Sequence, residues 1–211
     1  MKRRPFPVTW SPNFAYAIGL IASDGNLSSN GRHITFTSKD YNLAQTFKDC
    51  LNLKNKIGLT GRGTLPKKQY FHVQFGSKTF YEFLNSIGLF PRKSKTIAQL
   101  SVPREFFADF LRGCIDGDGC IDSYKHPESQ HPQLRIRLAS ASKPFLTWVH
   151  EVLLDEVGTK GGSIYHGSKQ SIYYLQYNKA DSFKILRYIY SRGDFCCLAR
   201  KYQIALPFLR I

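Results

Sequence analysis

Apolar residues recur along this 211-residue chain with two different periods. Spacings of three and four, typical of helices that bury one face, place Leu43, Phe47 and Leu51 on a single stripe. Strict alternation, typical of half-buried strands, places Ile34 and Phe36 between polar neighbours. The chain is therefore predicted to combine amphipathic helices with strands that pair as hairpins.

The predicted elements follow the same order twice. The first series is a helix at 12–25, strands at 27–30 and 32–38, a helix at 40–53, strands at 57–65 and 69–75, and a helix at 77–86. The second is a helix at 109–119, strands at 121–125 and 134–140, a helix at 143–157, strands at 163–165 and 171–177, and a helix at 180–190. A last helix is predicted at 194–205.

Individual residues repeat together with the elements, because residues 70–75 parallel residues 172–177. A repeat that is half a protein long indicates a duplicated unit with pseudo-two-fold symmetry and not a solenoid. We therefore divide the chain into an N-terminal half, a linker and a C-terminal half, at 1–98, 99–104 and 105–211.

The charge balance narrows the class of partner. Thirty Lys and Arg residues against fifteen Asp and Glu give a net charge of +15, and a hydrophobic content of 42% excludes a disordered chain. The basic residues run through the predicted strands and turns and are not confined to a tail. A folded surface that binds a polyanion, above all nucleic acid, is favoured over a basic protein without such a partner.

The number of cysteines and the hydropathy of the chain indicate the cellular compartment in which the protein works. The five cysteines are an odd number and form no C-x-x-C pair, so neither a zinc ribbon nor a disulfide framework is indicated. They are interpreted as reduced thiols of an intracellular protein. The basic start leads to no apolar signal region, and no run approaches membrane-spanning length. We expect a location in the cytoplasm, nucleoid or organelle matrix, without secretion or membrane attachment.

Two apolar stretches, 17–25 and 111–119, carry a glycine near the middle and end in Asp-Gly. Small residues lie four apart in each, so that each predicted helix has a face on which a second backbone can approach closely. These small residues are Gly19 and Ser23 in the first stretch, and Gly113 and Gly117 in the second.

Asp24 and Asp118 fall at the C-termini of these two predicted helices. The partial negative charge of a helix C-terminus disfavours a carboxylate and favours a cation. Two carboxylates brought to one spot in that field are consistent with a divalent-metal site. Taken singly, each could equally be an ordinary residue of an Asp-Gly turn.

The paired stretches resemble the motifs of LAGLIDADG homing endonucleases in their single-chain, two-motif form. The second copy matches at Leu111, Gly113, Ile115, Asp116, Asp118 and Gly119, and the first at Gly19, Leu20, Ile21, Asp24 and Gly25. The first copy departs where Ala22 replaces the family's first Asp, whereas Asp24 and Asp118 keep the position that carries the metal in the family. Because Asp116 has no counterpart at Ala22, we interpret Asp116 as structural.

This resemblance covers about residues 12–206 and implies an α+β fold. The fold comprises two pseudo-symmetric αββαββα halves whose motif helices pack at the centre. Each half contributes a four-stranded antiparallel sheet to a DNA-binding saddle.

The resemblance also implies a monomeric homing endonuclease without an obligatory protein partner, for which an origin in a host intron stays open. It would bind a long, asymmetric duplex of ~20 bp and hydrolyse both strands, leaving 3′ overhangs. Mg²⁺ would be the cofactor, with Mn²⁺ able to substitute and Ca²⁺ able to bind without supporting cleavage. The metal ligands would be the carboxylates of Asp24 and Asp118 and the backbone carbonyls of Ser23 and Gly117.

Further active-site groups follow from the same resemblance. Lys93 and Lys201, each beside an arginine after the third helix of its half, would stabilise the transition state; the alternative is a solvated basic face. The family's polar residue near the end of the second strand falls within 37–40 in one half and within 140–142 in the other, and Asp40 and Ser142 are the candidates there.

DNA contacts are expected from the polar strand faces and from the hairpin loops. The strand candidates are Asn26, Ser28, Arg32, His33, Thr35, Thr37, Tyr70, His72 and Gln74 in the first half, and Asp122, Arg135, Arg137, Tyr174 and Gln176 in the second. The loop candidates, expected to contact phosphates, are Arg62, Lys67, Lys68, Lys125 and Lys169.

A different class of function is possible on the same fold. A nucleic-acid-binding protein that does not cleave, such as an RNA-splicing maturase or a transcription regulator, would have the same sheets and charge. Asp24 and Asp118, both present here, favour the enzyme because such relatives often lose the motif carboxylates.

Overall fold

The structure is a computed structural model and describes residues 6–61, 69–125, 127–167 and 171–210. The N-terminal half contains α1 (Pro12–Asp24), β1 (Gly25–Leu27), β2 (His33–Ser38), α2 (Tyr41–Cys50), β3 (Gly58–Gly61), β4 (Gln69–Gly76) and α3 (Lys78–Ser86). The C-terminal half contains α4 (Phe107–Asp118), β5 (Gly119–Tyr124), β6 (Gln133–Ser140), α5 (Lys143–Val157), β7 (Ser163–His166), β8 (Tyr173–Tyr177), α6 (Lys179–Ile189) and α7 (Ala199–Leu209). Short 3₁₀ turns at Lys93–Lys95 and Arg104–Phe106 precede α4.

Each half forms one four-stranded antiparallel sheet. The strand order is β1-β2-β4-β3 in the first sheet and β5-β6-β8-β7 in the second, so the two halves have the same topology. Side chains of β2 alternate between half-buried and buried positions, which leaves one polar face outward. The predicted α+β architecture of two αββαββα halves is confirmed.

The two halves meet through α1 and α4, whose backbones touch. A Cβ placed on Gly19 would collide with the carbonyl oxygen of Phe110, and one placed on Gly113 would collide with the carbonyl oxygen of Tyr16. Only glycine therefore permits this approach at either position. The small-residue face predicted for each motif helix is the face on which the helices pack.

Capping residues fix the start of several helices. The Ser11 side chain accepts a hydrogen bond from the backbone N–H of Phe14 at 3.2 Å, and Pro12 follows in the first turn of α1. The Ser77 side chain accepts from Phe80 N in the same way at the start of α3. These local signals are why both predicted starts agree with the structure.

The start of the last helix was predicted wrongly. It begins at Ala199 and not at residue 194, because the preceding segment is held by α4. The backbone N–H of Leu198 donates to the Asp116 carboxylate at 2.7 Å, and the carbonyl of Cys196 accepts from Arg112 Nε at 2.8 Å. Long-range bonds of this kind leave no signature in local periodicity.

Other boundaries also differ from prediction. The strand after α1 begins directly at Gly25, two residues earlier than predicted, because the chain turns from helix into sheet without a loop. The second motif helix begins at Phe107 and ends at Asp118. The predicted turn at 66–68 lies outside the described residues.

Arg112 is a buried arginine within α4, exposed by only 1%. Besides Cys196, its guanidinium donates to the carbonyl of Ile189 at 2.5 Å and to the carboxylate of Asp109 at 2.6 Å. It also lies over the Tyr16 ring, 5.6 Å from the centroid. Arg112 therefore joins α4 to α1 and to the segment after α6.

Within the part of the chain that the structure describes, no helix has the length and apolarity needed to cross a membrane.

Candidate active site and nucleic-acid interface

The aspartates of the two motifs lie at adjacent helix ends. Asp24 is the last residue of α1 and Asp118 the last of α4, and each is followed at once by the edge strand of its sheet. A Cβ placed on Gly117 would lie 3.4 Å from Asp24 Oδ2 and would collide with the Ser23 side chain. The carboxylate of one helix therefore lies against the backbone of the other, as the paired motifs predict.

The site is partly open to solvent. Ser23, Asp24 and Gly117 are half-buried, and Asp118 is exposed. Partial removal from bulk water raises the pKa of the Asp118 carboxyl above its usual value, while the nearby ammonium groups of Lys93 and Lys201 oppose this rise.

Lys93 reaches this site from the 3₁₀ turn after α3. Its side chain is buried, and Nζ donates to the carbonyl oxygen of Ser23 at 3.2 Å. Burial lowers the pKa of Lys93 to about 8, although the carboxylates of Asp118 and Asp24 act in the opposite direction. Lys93 is thus a buried cation within the field of both motif aspartates.

Lys201, the equivalent lysine of the C-terminal half, has different contacts. Its Nζ donates to the carbonyl oxygens of Ile115 at 2.6 Å, Asp116 at 2.9 Å and Gly119 at 2.7 Å. An ammonium group has three donors, so these bonds use all of them. Lys201 therefore caps the C-terminus of α4, and its role toward substrate stays a prediction.

Asp116 is buried between the motif helices. Its Oδ2 accepts from the Tyr16 hydroxyl at 2.8 Å and from Leu198 N, while its Oδ1 has no hydrogen-bond partner among the described residues. Burial raises the pKa of this carboxyl despite those two bonds. These contacts agree with the structural role predicted for Asp116. Ala22, in the other motif, has no carboxylate to make such contacts.

Two recesses flank the pair of aspartates. One, of about 330 Å³, is lined by Asp24, Asp40, Asp118 and Arg200 together with neighbouring strand ends. The other, of about 200 Å³, is lined on one side by Ala22 and Lys93. The two recesses beside the aspartates therefore differ in their chemistry.

Asp40 and Ser142 differ in what they can contribute. Asp40 accepts from Asn42 N at 2.9 Å as the N-cap of α2 and lies 3.7 Å from Arg200 Nε within the larger recess. Ser142 is buried, and its hydroxyl donates to the carbonyl of Ile97. Ser140, at the other end of the predicted range 140–142, lines the smaller recess.

The donor atoms at the aspartate pair fit a hard divalent cation. Two carboxylates and two backbone carbonyls form an all-oxygen set, which is the preference of Mg²⁺. Among the described residues no group of three or more His, Cys, Asp or Glu side chains could hold a metal ion. Such a cation would thus keep several waters or take oxygens from a substrate, which is the usual behaviour of Mg²⁺. The Ser23 carbonyl already accepts from Lys93, so it is the weakest member of the set.

The polar face of the first sheet carries the predicted DNA contacts in rows. Asn26 on β1 pairs with Thr35 on β2, which in turn pairs with Gln74 on β4. Thr37 pairs with His72 in the next row. All nine strand candidates of this half are half-buried or exposed, namely Asn26, Ser28, Arg32, His33, Thr35, Thr37, Tyr70, His72 and Gln74.

The second sheet concentrates its charge at one place. Asp122 on β5 lies opposite Arg135 on β6, and its carboxylate contacts both Arg135 and Arg137. Tyr174 lies beneath Arg137, and Gln176 pairs with Arg137 across β8.

Of the five loop candidates for phosphate contact, one lies among the described residues. Lys125 is exposed directly after β5. The loop candidates Arg62, Lys67, Lys68 and Lys169 lie outside the described residues.

Some surface residues beside the site were not predicted. Lys39 lies over the Tyr70 ring, 5.7 Å from its centroid, and lines the larger recess. Tyr124 lies beneath Arg135 at 5.2 Å. Strand alternation would have found Tyr124, because it is two residues beyond Asp122 on the same face.

Comparisons with known proteins agree with this architecture. Residues 105–189 match the model of the LAGLIDADG-like domain family. Mesophilic variants of the homing endonuclease I-DmoI superpose with a TM-score of 0.59 at 19% identity, over 92% of this chain and 97% of theirs. The meganuclease I-SmaMI, bound to uncleaveable DNA, superposes with a TM-score of 0.59 at 14% identity, over 93% of this chain and 90% of that protein.

Two other relatives are not named as nucleases. Full-length WhiA from Thermatoga maritima superposes with a TM-score of 0.56 at 15% identity, over 95% of this chain and 62% of that protein. An A-type ATP synthase polypeptide from Methanopyrus kandleri is 26% identical over 110 residues, which is 52% of this chain but only 10% of that protein. Residues 105–189 are thus similar to the LAGLIDADG-like domain family, and the two halves together have the fold of the LAGLIDADG homing endonuclease structures.

Proposed function

We propose that this chain is a site-specific, divalent-metal-dependent DNA endonuclease that cuts both strands of one duplex. The observation that carries this proposal is the meeting of Asp24 and Asp118 at the adjacent C-termini of α1 and α4. Each carboxylate lies at the start of a sheet whose outer face is polar, in a chain of net charge +15. Metal-dependent hydrolysis of a phosphodiester needs oxygen ligands for the ions and a phosphate-binding surface at one place.

The residues divide the chemistry among them. Asp24, Asp118 and the carbonyl of Gly117 would hold divalent ions, which when bound supply charge neutralisation and an activated water at the scissile phosphates. Lys93 provides a buried cation that stabilises the negative charge developing on the phosphate. Lys201 holds the end of α4, and through it the position of Asp118, by binding three carbonyls.

The two sheets determine what DNA is bound. Because one chain supplies both, a duplex of ~20 bp is covered by a monomer with about one helical turn for each sheet. The polar faces differ in sequence, so the target is asymmetric. Cleavage across the minor groove with 3′ overhangs is the outcome implied by the family resemblance.

The experiment that tests this function separates binding from cleavage. Duplexes are first selected from a random library by binding to the protein in Ca²⁺, and the selected duplex is then incubated with Mg²⁺ or Mn²⁺. The endonuclease proposal expects linear products with 3′ overhangs from the wild type and none from Asp24→Asn. If a specific duplex is selected but neither protein cuts it, the endonuclease proposal is rejected, and specific DNA binding is retained.

A second candidate is a DNA- or RNA-binding protein that does not cleave. The similarity to WhiA favours it, since that structure covers 95% of this chain and is not named as a nuclease. It predicts equal binding of the selected nucleic acid by wild type and Asp24→Asn, with no products in either metal. A preference for an RNA competitor over the selected duplex would favour the maturase form.

A further inference from the structure

Three charged side chains on the second sheet form a cluster that we call the arginine clasp, consisting of Asp122, Arg135 and Arg137. Asp122 Oδ2 accepts from Arg135 Nη2 at 2.9 Å and from Arg135 Nε at 3.3 Å. The same oxygen accepts from Arg137 Nη2 at 3.4 Å. One carboxylate oxygen therefore holds two guanidinium groups on the face proposed to bind DNA.

The Asp122 carboxylate is engaged within the protein on both oxygens. Its Oδ1 accepts from Cys120 Sγ at 2.8 Å. Asp122 was predicted to contact DNA itself, and an acidic group would do so by accepting a hydrogen bond from a cytosine amino group. With its oxygens already used by Cys120 and the two arginines, its better-supported role is to position those arginines.

Aromatic rings fix the arginines from the other side. The Arg135 guanidinium lies over Tyr124, 5.2 Å from the ring centroid, and that of Arg137 lies over Tyr174 at 5.8 Å. Both arginine side chains are 32% exposed. Each guanidinium is thus held by a carboxylate and a ring while still reaching solvent, which reduces the entropy lost when it binds a base.

The hydrogen-bond geometry leaves one edge of Arg135 for a ligand. Its Nε and Nη2 form the edge that faces Asp122. Within the described residues, no hydrogen bond engages Arg135 Nη1. The Nη1–Nη2 edge can therefore donate two parallel bonds, which matches the O6 and N7 acceptors of guanine in the major groove.

We propose that Asp122 is a positioning residue that presents Arg135 and Arg137 as a pair to two G·C base pairs in one half-site. This inference rests on the proposed function only in requiring that the sheet binds duplex DNA. The two arginines are two positions apart along β6, a distance of about 6.8 Å. That distance equals about two steps of B-DNA at 3.4 Å each. The guanines should be two base pairs apart.

The register also orients the pair relative to the aspartates. Arg137 pairs with Cys120, two residues after Asp118, whereas Arg135 pairs with Asp122, four residues after it. The guanine read by Arg137 is therefore the one nearer the cleavage position. In the first sheet the corresponding positions of β2 hold Thr35 and His33, so the guanine pair belongs to one half-site only.

The test compares base preferences without using cleavage. Duplexes are selected from a random library in Ca²⁺ with the wild type, Asp122→Asn, Arg135→Ala and Arg137→Ala. The matched control is Glu151→Gln, which removes one negative charge from an exposed position on α5. Affinities for the selected duplex and for a scrambled duplex are then measured for every variant, together with the melting temperature.

The wild type should select guanines two positions apart in one half-site. Arg137→Ala should lose the inner preference and Arg135→Ala the outer one, each by on the order of tenfold. Asp122→Asn should weaken both preferences together and yet bind the scrambled duplex a few-fold more tightly, because a negative charge has been removed from the DNA face. A merely structural role would lower both affinities, and Glu151→Gln should leave the base preferences unchanged.

An unchanged base preference in Asp122→Asn would overturn the proposal, as would an equal loss of affinity for selected and scrambled duplexes. If Asp122→Asn does not fold, the two arginine variants decide whether Arg135 and Arg137 read two guanines in one half-site. Preferences lost at positions that are not two base pairs apart, or that lie in different half-sites, overturn the pairing. A protein that binds but never cuts would still give the expected selection, so failure of the endonuclease proposal is distinguishable from failure of this one.

Discussion

Gly19 and Gly113 face each other where α1 crosses α4, and a Cβ placed on Gly113 would lie 3.1 Å from the Cα of Gly19. The contact places the two helix ends, and with them Asp24 and Asp118, next to each other. Neither helix can move away without separating the aspartates, because the glycines define the crossing point. Stability and active-site geometry are therefore linked at these residues.

Replacing Gly113 by leucine should destabilise the protein and not only its activity. The side chain would enter the backbone of α1, and overpacking of this kind costs about 1–3 kcal/mol or more. Urea unfolding at constant m-value measures the loss. Gly193→Ala is the matched control, because a Cβ at Gly193 meets nothing within 4 Å. An unchanged midpoint for Gly113→Leu would contradict the central helix pair.

Lys93 and Lys201 should fail in different ways when each is changed to methionine. Lys201→Met leaves three carbonyls at the end of α4 without their donor, and a buried unsatisfied group costs about 1–3 kcal/mol. Lys93→Met should instead keep most of the stability and slow cleavage of the selected duplex. Thermal unfolding and single-turnover cleavage measure the two effects.

Arg200→Met is the control for Lys201→Met, because it removes a positive charge from the neighbouring position at the N-terminus of α7. Arg200 is exposed and lies 3.7 Å from Asp40, and a surface pair of this kind contributes roughly 0–1 kcal/mol. A Lys201→Met protein as stable as Arg200→Met would show that the three carbonyl bonds do not matter. Equal rate losses for both lysine variants at unchanged stability would restore a catalytic role for Lys201.

The sequence predicted the parts of the fold that depend on local pattern. The duplicated order of elements, the caps at Ser11 and Ser77, and the small-residue faces around Gly19 and Gly113 all follow from spacing along the chain. Such features need no knowledge of distant residues, because helix and strand periods and capping are properties of neighbouring positions.

The parts that were not predicted depend on distant partners. The late start of α7 at Ala199 reflects hydrogen bonds that join the preceding segment to Asp116 and Arg112, which lie more than 80 positions earlier. Burial of Arg112 could have been suspected from Asp109 three residues before it, but its bonds to the carbonyls of Ile189, the last residue of α6, and of Cys196 could not. The capping role of Lys201 was likewise hidden, because an Arg-Lys pair after a helix is equally typical of a basic surface.

Changing either motif aspartate to asparagine should abolish cleavage and preserve binding. Asp24→Asn and Asp118→Asn each remove one negative charge from the site, whereas DNA affinity comes from phosphate contacts spread over both sheets. The measurement is cleavage of the selected duplex in Mg²⁺, with affinity determined separately in Ca²⁺. Asp40→Asn is the comparison, since Asp40 lines the same recess but caps α2. Double-strand cleavage by either motif variant at the wild-type rate would contradict the assignment of Asp24 and Asp118 to the active site.

The arginine clasp should also make stability depend on pH. Burial alone would raise the pKa of Asp122, but hydrogen bonds from Cys120 and Arg135 outweigh it, and the pKa lies below the ordinary value. For a carboxyl whose folded pKa is depressed, the stabilising contribution is complete above the unfolded pKa of about 3.9 and is lost as pH falls through the folded pKa. The wild type should therefore be more stable than Asp122→Asn at about pH 6, and this difference should shrink toward about pH 3. Urea unfolding of both proteins across that range measures it, with Glu151→Gln as the control for charge alone. A difference that stays constant with pH would mean that Asp122 does not stabilise the second sheet through its ionised form.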